Sequence, residues 1–138
     1  MAFVVDASLA AAWFLPDEAS AASTALARRA ADEACCVPSL FLHEMRNLLL
    51  LALRRGRLVE DILFDLLDKL GQMPWRDRGP GDGAQIAQLA IKHGLTAYDA
   101  AYLALAMTER LPLATLDKKL AAAARAEQIE VLGPLNPS

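Results

Sequence analysis

Apolar positions fall in short blocks separated by helical patterns along this chain. Phe3-Val4-Val5 is a partly β-branched apolar run that stops at Asp6, and it reads as a buried strand. Residues 7–15 then follow a helical pattern up to Pro16, which pushes its predecessor out of the α region. Residues 17–34 are Ala-rich with one polar side, predicting a second helix, and residues 34–38 predict a second strand. Ser39 stands where an N-cap belongs, so a long helix is predicted to about Arg55, closed by Gly56. Residues 59–70 predict another helix closed by Gly71, with Asp61, Asp65 and Asp68 as a solvated stripe opposite its leucines.

Residues 74–78 predict a third strand, and the loop Gly79-Pro80-Gly81-Asp82-Gly83 leads into a helix that ends at His93 with Gly94 as its cap. Thr96 opens a helix over Ala97–Glu109; a strand follows at 113–116, a helix at 118–127 and a last strand at 129–132. Short apolar strands alternating with helices predict a mainly parallel sheet covered on both faces, an α/β three-layer sandwich. Sites in such folds form outside the carboxyl ends of the strands. No repeat, linker or low-complexity block divides the chain, so residues 1–138 are expected to form a single domain with a frayed tail at 133–138.

Composition supports a packed core. The 28 Ala and 25 Leu are strong helix formers and allow close helix packing, and a mean hydropathy of +0.26 argues against disorder. Uncharged apolar stretches such as residues 48–53 are too short to span a bilayer, and Asp6 comes too early for a signal peptide. A soluble cytoplasmic protein is expected. Cys35 and Cys36 are adjacent, which suits neither a spaced metal pair nor a bridge, and they read as small apolar residues of a buried strand.

Four carboxylates stand in unusual company. Asp6 ends the first strand and Asp117 follows the fourth. Glu44 lies in the helical row Leu40, Glu44, Leu48, Leu51, and Asp99 in the row Leu95, Asp99, Leu103, Ala106; both rows are otherwise apolar and predicted to face the core. Each acid also has a plainer reading. Asp6 and Asp117 each precede a helix and suit N-caps, and Thr96 with Asp99 suits a capping box. Glu44 has no Lys or Arg three or four positions away, so a tertiary partner or a snorkelling position is its remaining plain reading.

If the four converge, buried like charges must take up protons or hold a cation. Carboxylates without His or Cys select a hard divalent ion, Mg²⁺ or Mn²⁺, and acid-only sites of that kind suit phosphodiester hydrolysis by a metal-activated water. Such water attack leaves 5′-phosphate and 3′-hydroxyl ends. The net charge of −3 first counts against a nucleic-acid partner. With four acids assigned to a metal site, thirteen face fourteen Lys and Arg, so the charge sum excludes nothing.

The segments Val4-Val5-Asp6-Ala7-Ser8, Glu44-Met45-Arg46-Asn47, Leu95-Thr96-Ala97-Tyr98-Asp99-Ala100-Ala101-Tyr102 and Leu113-Ala114-Thr115-Leu116-Asp117 together resemble the PIN-domain ribonucleases, most closely the VapC-type toxins of bacterial toxin–antitoxin pairs. The resemblance spans about residues 3–132. It implies a PIN-like fold and a Mg²⁺- or Mn²⁺-dependent endoribonuclease with Asp6, Glu44, Asp99 and Asp117 as its catalytic and metal-binding acids. Ser8, Asn47 and Thr115 match supporting positions. The family also implies a homodimer and a small inhibitory antitoxin protein.

Candidate RNA contacts are Arg46, Arg54, Arg57 and Lys118, within a wider set of cations that includes Arg55, Arg76, Arg78 and Lys119; scattered solvated charges are the alternative. His43 and His93 read as surface or packing residues, His93 near a helix C-terminus, and Trp13 and Phe14 as core or interface. A phosphoacceptor receiver domain is the main rival, but it wants two adjacent acids after the first strand, and Ala7 follows Asp6. An Asp-nucleophile phosphatase wants an Asp where Ser8 stands. A non-catalytic interaction domain of the same fold would not need all four acids.

Overall fold

A computed structural model describes residues 1–136. The chain runs β1 (Ala2–Val5), α1 (Ala7–Phe14), a 3₁₀ turn (Pro16–Glu18), α2 (Ala21–Arg29), β2 (Ala34–Val37), α3 (Phe41–Arg54), α4 (Glu60–Gln72), β3 (Arg76–Asp77), α5 (Gly83–His93), α6 (Ala97–Glu109), β4 (Leu113–Ala114), α7 (Lys118–Ala126) and β5 (Val131–Leu132). The strands form one parallel sheet in the order β3-β2-β1-β4-β5. Phe3, Val4 and Val5 are fully buried, as expected for a central strand covered on both faces. α1 packs on α2 and α3, and α3 on α4, while α6 packs on α5 and α7. Right-handed crossovers put these two groups on opposite faces of the sheet, a three-layer α/β sandwich.

The strand order reverses between β1 and β4, which pair in the register Val4 with Leu113 and Val5 with Ala114. Chain leaving β1 moves toward one edge and chain leaving β4 toward the other. Their carboxyl ends therefore diverge and leave a crevice, with Asp6 and Asp117 beside it.

Several local expectations are corrected. Residues 17–34 do not form one helix: Pro16 starts a 3₁₀ turn, and Ser20 and Ser23 build a reciprocal capping box that starts α2 at Ala21. Ser39 does not cap α3. Its hydroxyl donates to Asp77 Oδ1 at 2.9 Å and its N–H to the Gly79 carbonyl, so it ties the α3 entry to β3. Gly71 lies inside α4, which continues to Gln72 while Leu70 is buried and its carbonyl accepts from Trp75 Nε1. Gly56 does follow α3 in a left-handed conformation, with φ 74°.

The strands at 76–77, 113–114 and 131–132 are shorter than the predicted spans of 74–78, 113–116 and 129–132. The expected tail is anchored through Asn136: its N–H donates to the Gly133 carbonyl, Arg125 donates to the Leu135 carbonyl, and Leu135 packs against the core. Residues 137–138 of that tail lie outside the described residues. Cys35 and Cys36 are buried free thiols, the Cys35 thiol pushed up to about 12 by burial. Trp13 stacks parallel to Trp75 at 6.2 Å and Phe14 is buried, so both belong to the packing. His43 is exposed, and His93 Nε2 meets Glu127 Oε2 at 2.6 Å.

Candidate active site

Asp6 is placed by β1 and fixed by α1. Its backbone N–H donates to the Ala114 carbonyl, extending the β1–β4 ladder, and its Oδ1 accepts from Leu9 N–H at 2.9 Å as the N-cap of α1. Ser8 Oγ donates to the same oxygen at 2.8 Å, and Thr115 Oγ1 donates to Oδ2 at 2.5 Å. Despite three donors, burial pushes the Asp6 carboxyl up to about 6, and the Asp99 charge adds to the rise. Asp6 is 3% exposed and Thr115 is 0% exposed.

The same hydroxyls hold the other side of the crevice. Thr115 Oγ1 accepts from Asp117 N–H at 2.9 Å, and Ser8 Oγ accepts from Leu116 N–H at 3.0 Å. Asp117 Oδ1 takes the N–H groups of Lys119 and Leu120, capping α7. The capping readings of Asp6 and Asp117 are correct, and they coexist with a place at the crevice.

Glu44 and Asp99 come from α3 and α6. The fully buried face of α3 is Phe41, Met45, Leu49 and Ala52. The row of Glu44, Leu48 and Leu51 is half-buried beside it and lines the crevice, which corrects the expectation that this row faces the core. Tyr102 Oη donates to Glu44 Oε1 at 2.6 Å. Burial nevertheless raises the Glu44 pKa, with the Asp99 charge also raising it. Thr96 caps α6 by accepting from Asp99 N–H. Burial also raises the Asp99 pKa, followed by the Asp117 charge. Asp99 thus couples electrostatically to Asp6, Glu44 and Asp117.

All four acids line one cavity of about 350 Å³, together with Ser8, Tyr102, Glu18, Arg55 and Arg57. Tyr102, absent from the expected site, is 1% exposed, and its hydroxyl pKa is raised by burial and by Glu44. Its spacing of three from Asp99 on one helix face was the available signal. Asn47, Arg46 and Arg54 sit on the exposed side of α3, and Lys118 is exposed at the start of α7; none lines the cavity. Arg57 is at the cavity but engaged with Asp17 and Glu18, and Arg78 pairs with Glu109.

Among the described residues, no three His, Cys, Asp or Glu side chains form a ready-made group that could hold an ion. Two features reconcile this with an acid-lined crevice. Both Asp6 oxygens and Asp117 Oδ1 are occupied by hydrogen bonds, and the acids repel one another. None of the four forms an ion pair among the described residues. The donor set still fits a hard divalent cation: only carboxylate and hydroxyl oxygens, with the Asp6, Glu44 and Asp99 pKa values raised by burial and by a neighbouring acid.

Fold and crevice together define an α/β protein with four carboxylates lining a crevice at the switch point of a parallel sheet. The PIN domain family model matches residues 3–126, and the chain belongs to that family. It is 39% identical over 127 residues, 88% of this chain and 93% of the relative, to "Ribonuclease VapC3" of Pyrobaculum aerophilum. Its fold is similar to the crystal structure of PAE2754 from the same organism, with a TM-score of 0.67 and 24% identity, covering 95% of this chain and 83% of that one. Family membership sets the receiver-domain reading aside.

Proposed function

We propose that this protein is a Mg²⁺- or Mn²⁺-dependent endoribonuclease, the toxin of a toxin–antitoxin pair, with residues 1–138 acting as one nuclease domain. The observation that carries the reading is the meeting of Asp6, Glu44, Asp99 and Asp117 on one cavity without a compensating ion pair. The relative's description as a ribonuclease supports it. A divalent ion held by the four acids would lower the pKa of a bound water and offset charge on the phosphate oxygens.

The chain's own groups prepare that site. Thr115 and Ser8 orient Asp6 and fix the backbone that carries Asp117. Tyr102 orients Glu44 and fills space behind it. Arg46, Arg54 and Lys118 supply exposed positive charge outside the cavity for an RNA backbone, and Arg57 supplies it from the cavity lining.

A crevice of carboxylates also suits the planar fork of an arginine, so the inhibitory antitoxin enters here. Val59 at the start of α4 and Ile62 and Phe64 on it, with Ile91 and Tyr98 at α5 and α6, are exposed apolar side chains available to a homodimer and to that antitoxin. No helix among the described residues is long and apolar enough to cross a membrane. A cytoplasmic location completes the proposal. The test is single-stranded RNA incubated with purified protein: cleavage with Mg²⁺ or Mn²⁺ and none with EDTA supports the reading, and cleavage unaffected by EDTA overturns its metal dependence.

A further inference from the structure

Arg57 stands in the turn between α3 and α4, and it grips the 3₁₀ turn after α1. Its Nε and Nη2 reach the two Asp17 carboxylate oxygens at 2.9 and 2.8 Å, and Nη2 also meets Glu18 Oε2 at 2.6 Å. Arg57 and Glu18 line the same cavity as the four acids. They lie at its far end. Asp6 opens α1 and the 3₁₀ turn closes it, so the helix rise puts them on the order of 12 Å apart. Along α3, Glu44 and Arg55 are separated by roughly 16 Å. That backbone spacing suits a phosphate flanking the one at the acids.

The guanidinium fork that fits a carboxylate bidentately fits a phosphate as well. Asp17 and Glu18 are 61% and 34% exposed at the side chain and Arg57 is 29% exposed. All three side chains are open to water in part, so an incoming phosphate can reach the guanidinium and exchange for the carboxylates. Arg55, at the same end, has no ion pair among the described residues, so its charge is not held in reserve in this way.

We propose that Arg57 receives a backbone phosphate flanking the cleaved bond, and that Asp17 and Glu18 occupy it as carboxylate stand-ins until RNA enters. The inference rests on the reading of the cavity as an RNA-cleaving site. It makes Arg57 a residue of substrate binding rather than of the chemical step, acting on KM more than on kcat.

The test is binding of a labelled single-stranded RNA oligonucleotide in EDTA at low salt, with melting curves for every variant. Arg57→Ala is expected to weaken binding by roughly fivefold and to reduce the log–log salt slope by about 0.7. Arg57→Lys, which keeps charge without the fork, is expected between it and wild type. The pair Asp17→Asn with Glu18→Gln is expected to tighten binding by roughly fivefold, and that gain is expected to vanish in the Arg57→Ala background. A gain that persists without Arg57 is bulk charge removal and overturns the proposal. A pair of substitutions that lowers the melting temperature and leaves binding unchanged makes the contact a structural clasp, and also overturns it. A wild-type protein that cleaves RNA with Mn²⁺ but shows no dependence of RNA binding on Arg57 overturns this inference alone, and one that cleaves no RNA with Mn²⁺ overturns the ribonuclease reading on which it rests.

Discussion

Tyr102 Oη and Glu44 Oε1 are joined by a 2.6 Å hydrogen bond between α6 and α3, 58 positions apart in the chain. Tyr102 is otherwise enclosed by core, so its hydroxyl fixes where the half-buried carboxylate points. Tyr102→Phe keeps the ring and removes only the donor. Hydrogen bonds to charged groups contribute about 1.5–3 kcal/mol, so kcat is expected to fall by about tenfold with KM little changed. The lost donor also lets the Glu44 pKa rise further, moving the acidic limb of the pH–rate profile upward. An unmoved pH profile would show that Tyr102 only fills space.

Thr115 donates to Asp6 and accepts from Asp117 N–H, so one hydroxyl serves two of the four acids. Thr115→Val preserves shape and strands both partners, at a cost of about 1–3 kcal/mol. The melting temperature is expected to drop by about 5 °C or more at pH 7, while Thr115→Ser stays near wild type. Thermal denaturation of the two variants side by side checks this.

Stability without metal should depend on pH in a direction set by Asp6. Its carboxyl rises from the ordinary 3.8 to about 6 on folding, so between those values the native state binds more protons than the unfolded state. Stability from this group is therefore greatest below pH 4, declines as pH rises through that window, and is about 3 kcal/mol lower above it. Asp17, Glu33 and Glu127 run the other way: their partners lower their pKa values, and their stabilisation is lost in strong acid. Calorimetry in EDTA is expected to show a higher melting temperature at pH 5 than at pH 7. A melting temperature that climbs from pH 5 to pH 7 contradicts the burial of an ionised Asp6.

Glu44→Gln keeps an acceptor for Tyr102 while removing a charge from the cavity. Burial and Asp99 outweigh the Tyr102 hydrogen bond in raising the Glu44 pKa, so the charge is a net cost to the metal-free fold. The variant is expected to melt a few degrees above wild type in EDTA if about 1 kcal/mol is recovered. Mn²⁺ is expected to raise the wild-type melting temperature more than the variant's, since a native-state ligand stabilises by mass action. A variant that melts lower in EDTA assigns Glu44 to the scaffold.

Much of this arrangement could be read before folding because the periodicity and the chemistry agreed. A β-branched run broken by an acid marked β1 and Asp6, and acids in otherwise apolar helical rows marked Glu44 and Asp99. Where local signals competed with distant ones, the reading failed. Ser39 has the composition of a cap, but its hydroxyl finds Asp77, 38 positions on. Gly71 reads as a stop, but α4 continues through it to Gln72. Glu44 does not face the core because the buried seam of α3 runs one residue over, through Met45 and Leu49. Tyr102 carried no role in the sequence reading; it is core, and only its partner 58 positions away shows its hydroxyl serving the site.

The central claim is that four carboxylates form one metal-dependent RNA-cleaving site, and Asp117→Asn tests it most directly. Asp117 caps α7 through Oδ1 alone, and Asn caps as well as Asp, so the fold should survive with one charge fewer. Asp6→Asn is the less clean probe, because both of its oxygens accept hydrogen bonds. The measurement is the initial rate of cleavage of a single-stranded RNA in Mn²⁺ by wild type and by Asp117→Asn, with melting temperatures for both. A loss of cleavage by about a hundredfold or more at an unchanged melting temperature is expected. A variant that keeps its fold and cuts RNA at the wild-type rate would contradict the account.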